Sequence, residues 1–424
     1  MEKLIKISYF PEEMEYLIPR EIEAKISPWL ESKEILIIRG PRQSGKTTLL
    51  HKIARDLSGK GIKKERIHFF NLEDDLEKEK LEKDPKNYFQ FYLSNDTEKH
   101  YFFIDEVQYL SAAGKILKLI YDSQFNLKIV VTGSSTLDLS EVGSYLVGRA
   151  LFFELYPFSF YEFIQAKDHG LFEHYKKYRF NPKKPVLPPT LFLDKLNLLL
   201  WEYATYGGYP RVVLEKDLEK KKFILKNLYL TYIEKDIVKI YGSKYRQKIL
   251  DLVKTLAALN ASILNYSEIS TTTSLYFKEI KDILGILENT YIISLITPFH
   301  KNLVSELRKN PKLYFFDLGL RNFLINRFEF TDEEKGKLLE NVVFSNFREE
   351  KVNYWRTTAK AEVDFFLAER NLPIEVKLHP KVTRSLHSFL DAYQPPQGLL
   401  INLSQSSTEK VEKTELWIIP AAFL

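Results

Sequence analysis

Three short stretches bring together side chains suited to chemistry on phosphates. The first is Gly40-Pro41-Arg42-Gln43-Ser44-Gly45-Lys46-Thr47, which matches G-x-x-x-x-G-K-[ST]. Consecutive backbone N–H groups in such a loop, followed by a helix N-terminus, favour bound phosphate. Lys46 would reach the β- and γ-phosphates of ATP, the Thr47 hydroxyl would hold Mg²⁺, and Thr48 continues the same stretch into the helix. The second is Asp105-Glu106, which closes the apolar run at 101–104. Asp105 fits a carboxylate that holds Mg²⁺, and Glu106 fits the base that positions an attacking water. The third is AEVDFFLAERNLPIEVKLHP, residues 361–380.

In that third stretch Val363, Phe365 and Leu367 alternate with Glu362, Asp364 and Phe366, and Ile374 and Val376 alternate with Glu375 and Lys377. Period two over both runs predicts a hairpin of two strands with one buried face. A turn centred near Glu369 and Arg370 sets Asp364 across from Glu375, about 5 Å apart, and Glu375 shares a face with Lys377. Two carboxylates and a lysine then converge. They suit either a metal site for cutting phosphodiesters or the solvated face of an amphipathic hairpin.

These residues need elements to carry them. A short apolar strand at 35–38 leads into the phosphate loop, and Leu49, Leu50 and Ile53 mark the helix after it. The run KIVVTGSS is a strand ending in small hydroxyl residues, of which Ser134 is placed either to sense a γ-phosphate or to cap the turn. Arg149 lies just before a fifth strand. Helical, aromatic-rich sequence fills 161–242, interrupted by the proline-rich KKYRFNPKKPVLPPT and by the YGGYP turn at 206–210. Helices follow, one capped near Ser267 and one over 274–287, then strands at 291–297 and 313–316 flanking a basic loop with Lys301, Arg308 and Lys309.

Composition sets the limits. The chain has 424 residues, enough for two to four domains, with an ordinary apolar fraction of 45%. It has no apolar run long enough to cross a bilayer and no signal-peptide core, so the expected setting is cytoplasmic, away from membranes. Cysteine is absent, which excludes disulfides and cysteine-held zinc. The formal charge of +5 permits contact with DNA without requiring it. Abundant Lys and Glu beside only two Met lean toward a thermophile.

The order of phosphate loop, acid pair, polar strand end and arginine resembles the AAA-type ATPase core. That resemblance implies that Arg149 reaches the γ-phosphate of a neighbouring subunit, and so a homo-oligomer; a surface salt bridge is the alternative. In related switch ATPases a Gly-x-Pro turn of the lid packs on adenine, which would be Gly208-Tyr209-Pro210 here, with an ordinary helix–helix turn as the alternative. Three helices and a two-stranded wing resemble a winged helix-turn-helix whose third helix enters a DNA groove, although Lys278 and Lys281 are offset by Glu279 and Asp282.

Over nearly the full length, GPRQSGKTTLL, FFIDEVQ, VTGSS, GGYPR, YFFDLGLRNFL, LLENVVFSNF and YWRTTAKAEVDFF resemble archaeal and bacterial AAA-type ATPases with a C-terminal domain of unknown function. Those C-terminal domains look like restriction endonucleases. The expected fold is therefore α/β: an AAA-type P-loop NTPase core over 1–165, a helical lid over 166–242, a winged helix-turn-helix over 243–316 and a restriction-endonuclease-like α/β domain over 317–424. In that likeness Asp364 and Glu375 bind Mg²⁺, Glu340 assists through water, and Lys377 orients the nucleophile or stabilises the phosphate. Glu340 could instead serve the packing between the winged helix and the last domain. Two functions follow: an ATP-driven enzyme that engages and cuts DNA, or a nucleotide switch whose winged helix and inactive C-terminal domain bind DNA or protein.

Overall fold

The structure is a computed structural model that describes residues 17–93, 97–133, 142–181, 185–231, 245–299 and 309–424. Ser134, Lys301 and Arg308 lie outside the described residues. The chain divides into two compact units between Pro157 and Phe158, ahead of the expected 165. The reason is local: helix Phe160–Lys167, capped by Ser159, packs Phe160 and Phe163 on Tyr203 of the second unit.

The first unit is an α/β layer. Strands β1 (Ile35–Arg39), β2 (Ile67–Asn71), β3 (His100–Asp105), β4 (Leu127–Gly133) and β5 (Ala150–Glu154) form one sheet in the order β2-β3-β4-β1-β5, and every pairing is parallel. Parallel sheets are covered on both faces, so the central strands read as unbroken apolar runs. Ile35 and Ile37 face one core with Phe102 and Ile104, while Leu36 and Ile38 face the other with Phe103 and Val130. Helix Lys46–Gly59 closes the second core with the stripe Leu49, Leu50, Ile53, Ala54 and Leu57.

The second unit begins with helices Phe160–Lys167, His169–Tyr178, Leu193–Tyr206, Pro210–Leu214 and Leu218–Tyr229. Next come helix Arg246–Ala258, strand β6 (Ser262–Ile263), helices Tyr266–Thr273 and Phe277–Asn289, and strands β7 (Ile293–Ile296) and β8 (Lys312–Phe315). The three strands form an antiparallel sheet in the order β6-β8-β7. Asn265, not Ser267, caps the second of these helices, its side chain accepting from the Ser267 N–H. Strand β8 starts one residue earlier than expected, at Lys312.

Helix Leu318–Leu324 fastens this region together from its own first residues. Asp317 caps it, accepting from the Leu320 N–H at 2.9 Å, and also accepts from the Gly208 N–H at 2.7 Å. Arg321 donates to the Ala257 carbonyl, and Asn322 donates to the carbonyls of Ala204 and Thr205. The FDLGLRN and YGGYP stretches are thus two sides of one joint. Gly207 sits at φ +79°, and a Cβ there would lie 2.2 Å from Asp317 Oδ1. The glycine pair is needed for this packing, and Pro210 is the first residue of helix Pro210–Leu214, where its missing N–H costs nothing.

The chain ends in a six-stranded mixed sheet. Helix Asp332–Ser345 precedes β9 (Val352–Arg356), β10 (Glu362–Leu367) and β11 (Leu372–Val376). Helix Arg384–Tyr393 then leads to β12 (Gln397–Asn402), followed by β13 (Ser407–Val411) and β14 (Thr414–Pro420). The sheet order is β13-β14-β12-β11-β10-β9. The β10–β11 register pairs Phe365 with Ile374 and Phe366 with Pro373, which, carried one step further, sets Asp364 opposite Glu375. The solvated face that was one of the two alternatives is not found. Both faces of the hairpin are covered, with Phe366 buried on Phe389 and Phe299, and Phe365 on Tyr314 and Phe344.

Replacing Gly207 by Ala combines a left-handed backbone with a collision, and should lower the unfolding free energy by more than about 2 kcal/mol. Gly285→Ala, in helix Phe277–Asn289 with open space around it, should instead gain up to about 1 kcal/mol. Denaturation midpoints of the two variants against the parent check both signs.

Candidate functional site: the phosphate loop and a buried charge cluster

The phosphate loop leaves the C-terminal end of β1, and the sheet order places its partners. Strand β4 lies between β1 and β3, so Thr132 on β4 can bridge the loop side and the acid side. Thr47 Oγ1 donates to Asp105 Oδ2 at 2.6 Å, and the Thr132 hydroxyl donates to Asp105 Oδ1. Thr132 Oγ1 in turn accepts from the Glu106 N–H at 3.0 Å. Glu106 adopts φ +57°, a left-handed backbone uncommon outside glycine, asparagine and aspartate, and Gln108 donates to its carboxylate. One short hydrogen-bonded chain therefore fixes Thr47, Asp105, Thr132 and Glu106.

The loop is shaped by close approach. Gly40 and Gly45 have φ +154° and +97°, and a Cβ on Gly40 would lie 2.1 Å from the Leu155 carbonyl oxygen. Gln43 is also left-handed. Arg20 braces the loop, donating to the Ser44 carbonyl at 2.9 Å and to the Tyr156 carbonyl at 2.6 Å. Lys46 curls back onto the loop, its ammonium donating to the carbonyls of Gly40 and Pro41 at 3.0 and 2.9 Å. Burial pushes its pKa down to about 8, against the pull of Glu106 and Asp105. A hydroxyl and a carboxylate oxygen brought together are the hard donors that suit Mg²⁺, so Thr47 and Asp105 fit that ion.

Arg149 lies elsewhere. Its Nε donates to Asp122 at 3.0 Å, and its guanidinium stands over the Tyr121 ring. The Arg149 carbonyl accepts from Ile35, at the start of β1, whereas the phosphate loop follows the end of that strand. The strand separates them by about 16 Å at 3.3 Å per residue. The surface ion pair weighed from the sequence is present. Sequence reasoning missed Thr132 and Arg20. Thr132 had a signal, a hydroxyl one residue inside the strand end, but Arg20 is far from the loop in sequence.

In the second unit Glu340, Asp364, Glu375 and Lys377 do come together, in company the sequence did not predict. Lys312 of β8 is buried, and its ammonium is 2.7 Å from Glu340, 2.8 Å from Glu362 and 3.7 Å from Asp364. The Tyr314 hydroxyl donates to Glu340 at 2.5 Å. On the other side Lys377 is 3.4 Å from Asp364 and 2.9 Å from Glu375, Val376 N–H donates to Asp364, and Thr383 donates to Glu375. Burial pushes Glu340 and Glu375 well above the usual carboxylate range. Burial opposes the charge on Lys312, but Glu340, Asp364 and Glu362 outweigh it and hold the ammonium protonated.

The expected Mg²⁺ pair Asp364 and Glu375 thus sits among cations of the chain itself. Glu375 Oε2 is buried and without a partner, which alone would suit a cation. Yet Asp364 is shared by two lysines and a backbone N–H, and among the described residues no group of three or more His, Asp or Glu side chains is placed to hold a metal. The carboxylates here do not fit a divalent ion. Glu340 takes the alternative role, joining β8 to the last domain.

Residues 32–164 match a family model, AAA_14, described as an AAA domain, and residues 197–331 and 335–424 match two domains of unknown function, DUF8612 and DUF4143. An uncharacterized protein of Haemophilus influenzae is 29% identical over 364 residues, 83% of this chain and 84% of that protein. Another, of Methanocaldococcus jannaschii, is 28% identical over 368 residues, 84% of this chain and 76% of its own length. The Aeropyrum pernix ORC1 protein, solved in complex with DNA, is 14% identical with a TM-score of 0.32, covering 75% of this chain and 95% of that one, a likeness too slight to argue from. The all-parallel sheet, the phosphate loop and the AAA match make the first unit an AAA-type P-loop ATPase core. No helix among the described residues is long and apolar enough to cross a membrane.

Thr132→Val should remove two hydrogen bonds that act on charged or reacting groups, and lower ATP turnover roughly tenfold or more while leaving nucleotide affinity within about twofold. Steady-state kinetics beside equilibrium binding distinguish this from general loss of the loop. Bound phosphates raise the pKa of Lys46 again, so ATP binding should take up a proton above pH 8, where the free side chain has lost it. Affinity should then fall as pH rises from 8 to 10, by up to about tenfold per unit. Calorimetry in buffers of different ionisation heat reads the uptake directly.

Proposed function

We propose that the protein is an ATP-hydrolysing switch that acts on DNA. The observation that carries the reading is the hydrogen-bonded chain Thr47–Asp105–Thr132–Glu106, which fixes an ion ligand and a catalytic carboxylate beside the phosphate loop. Thr47 and Asp105 would hold Mg²⁺, whose charge would offset that of the β- and γ-phosphates. Gly40, Arg42, Gln43, Ser44, Gly45 and Thr48 surround the phosphates with backbone N–H groups, Pro41, which has none, shapes the turn between them, and Lys46 turns from the loop carbonyls to the phosphate oxygens. Glu106 orients the attacking water and accepts its proton. Ser134 follows the same strand end as Thr132 and senses the γ-phosphate. Arg149, out of reach of its own phosphate loop, serves the site of a second copy of the chain, exchanging Asp122 for phosphate oxygens.

The DNA end of the reading rests on the order helix, strand, helix, helix, strand, strand over 246–315, which resembles a winged helix-turn-helix. Its third helix presents Tyr276, Phe277, Lys278 and Lys281 to solvent, and Lys281 stands over the Phe277 ring. Aromatic faces and ammonium groups together suit a nucleic-acid surface. The helix, antiparallel β9-β10-β11, helix and parallel β12 support a restriction-endonuclease-like fold for the last domain, with no cutting step assigned to it.

Lys46→Ala should lose at least about a hundredfold in turnover, on the order of 3 kcal/mol, together with tight ATP binding. Glu106→Gln should bind ATP and stall. Mixing Arg149→Ala with Glu106→Gln subunits should restore part of the turnover, because one mixed interface pairs an intact arginine with an intact glutamate. Equal loss of nucleotide affinity in the Lys46 and Glu106 variants would overturn the assignment of roles, and no rescue in proven mixed assemblies would leave Arg149 as a surface ion pair. Duplex DNA binding with ATP and with ADP tests the switch itself.

A further inference from the structure

The buried cluster in the second unit is nearly balanced by this chain's own charges. Glu340, Glu362, Asp364 and Glu375 supply four carboxylates, and Lys312, Lys377 and Arg356 face them, Arg356 pairing with Glu362 at 3.2 Å. Carboxylates crowd onto one buried spot only if something positive sits among them. Here that something is an ammonium with three carboxylates within 4 Å, carried on a strand of a different sheet from the acids it meets.

We propose that Lys312 is the resident cation of this centre, standing where a divalent ion would otherwise be needed. The C-terminal domain then assembles without metal, and the same ammonium fastens the sheet β6-β8-β7 to the β9–β14 sheet through Glu340 and β10. Tyr314 supports it from two residues along β8, on the same face, by holding Glu340. The inference rests on the geometry of these side chains. It stands whether or not the protein hydrolyses ATP or binds DNA.

The test uses the full-length chain carrying Lys46→Ala, without nucleotide, so that the phosphate loop contributes no metal response. In this protein, changing from excess EDTA to millimolar Mn²⁺ or Mg²⁺ should leave the melting temperature unchanged. A rise that Asp364→Asn removes would overturn the proposal, because it would show the carboxylates already serving a metal. Adding Lys312→Ala should lower the melting temperature by at least about 3 °C in EDTA. Mn²⁺ should then recover part of that loss, the ion entering the charge and space the ammonium left. Unchanged melting in EDTA, or no recovery with Mn²⁺, counts against the proposal. Should Lys312→Ala fail to fold alone, Lys312→Met combined with Glu340→Gln removes one charge of each sign. It should fold and melt above Lys312→Met; no gain from the second change would also overturn it.

Discussion

A lysine ammonium shut away from water must be met by hydrogen-bond acceptors, and for Lys312 the second unit supplies them as carboxylates. Lys312 is carried on β8, Glu340 on helix Asp332–Ser345, and Glu362 and Asp364 on β10. Those three elements meet around the ammonium. Removing one partner of such a cluster is costly because it leaves the others buried and uncompensated. The hairpin β10–β11 inherits its surroundings from this constraint. Its polar side chains point into a set of ion pairs, with Asp364 and Glu375 buried and Glu362 and Lys377 at its partly exposed rim.

The first unit solves a different problem with backbone geometry. Its reactive side chains come from separate strands, and parallel register brings them level. The strand that carries Thr132 lies between the other two, so one hydroxyl serves Asp105 as donor and the Glu106 backbone as acceptor. The left-handed backbone of Glu106 is held by this contact and by Gln108.

What could be read in advance follows from how local each signal is. The phosphate loop, its strand and its helix are contiguous, and G-x-x-x-x-G-K-T states their geometry outright. The hairpin register was legible because the turn and the alternation are both local, and Asp364 does fall opposite Glu375. Its burial was not legible, because what covers it arrives from elsewhere: Phe299, Phe389, Tyr314 and Phe344. Lys312 was hidden for the same reason. In RKNPKLYFF it reads as the end of a basic loop, and only its place on the same strand face as Tyr314 hints otherwise. The Gly207-Gly208 turn was visible as a turn, but the partner that demands glycine, Asp317, was not.

That joint has a consequence for synthesis. Gly208 and Asp317 are 109 positions apart, so the turn's partner leaves the ribosome some 5–20 s after the turn itself at about 5–20 residues per second. Until then the N–H of Gly208 and the helices on either side of it lack the carboxylate that holds them. The phosphate loop has no such wait. The contacts described for it, from Arg20 to Leu155 and Tyr156, lie within the first 157 residues. A nascent chain can therefore complete its phosphate loop while the second unit is still being made. Nucleotide bound at that stage would steady the first unit when hydrophobic surface on the unfinished remainder is most open to association.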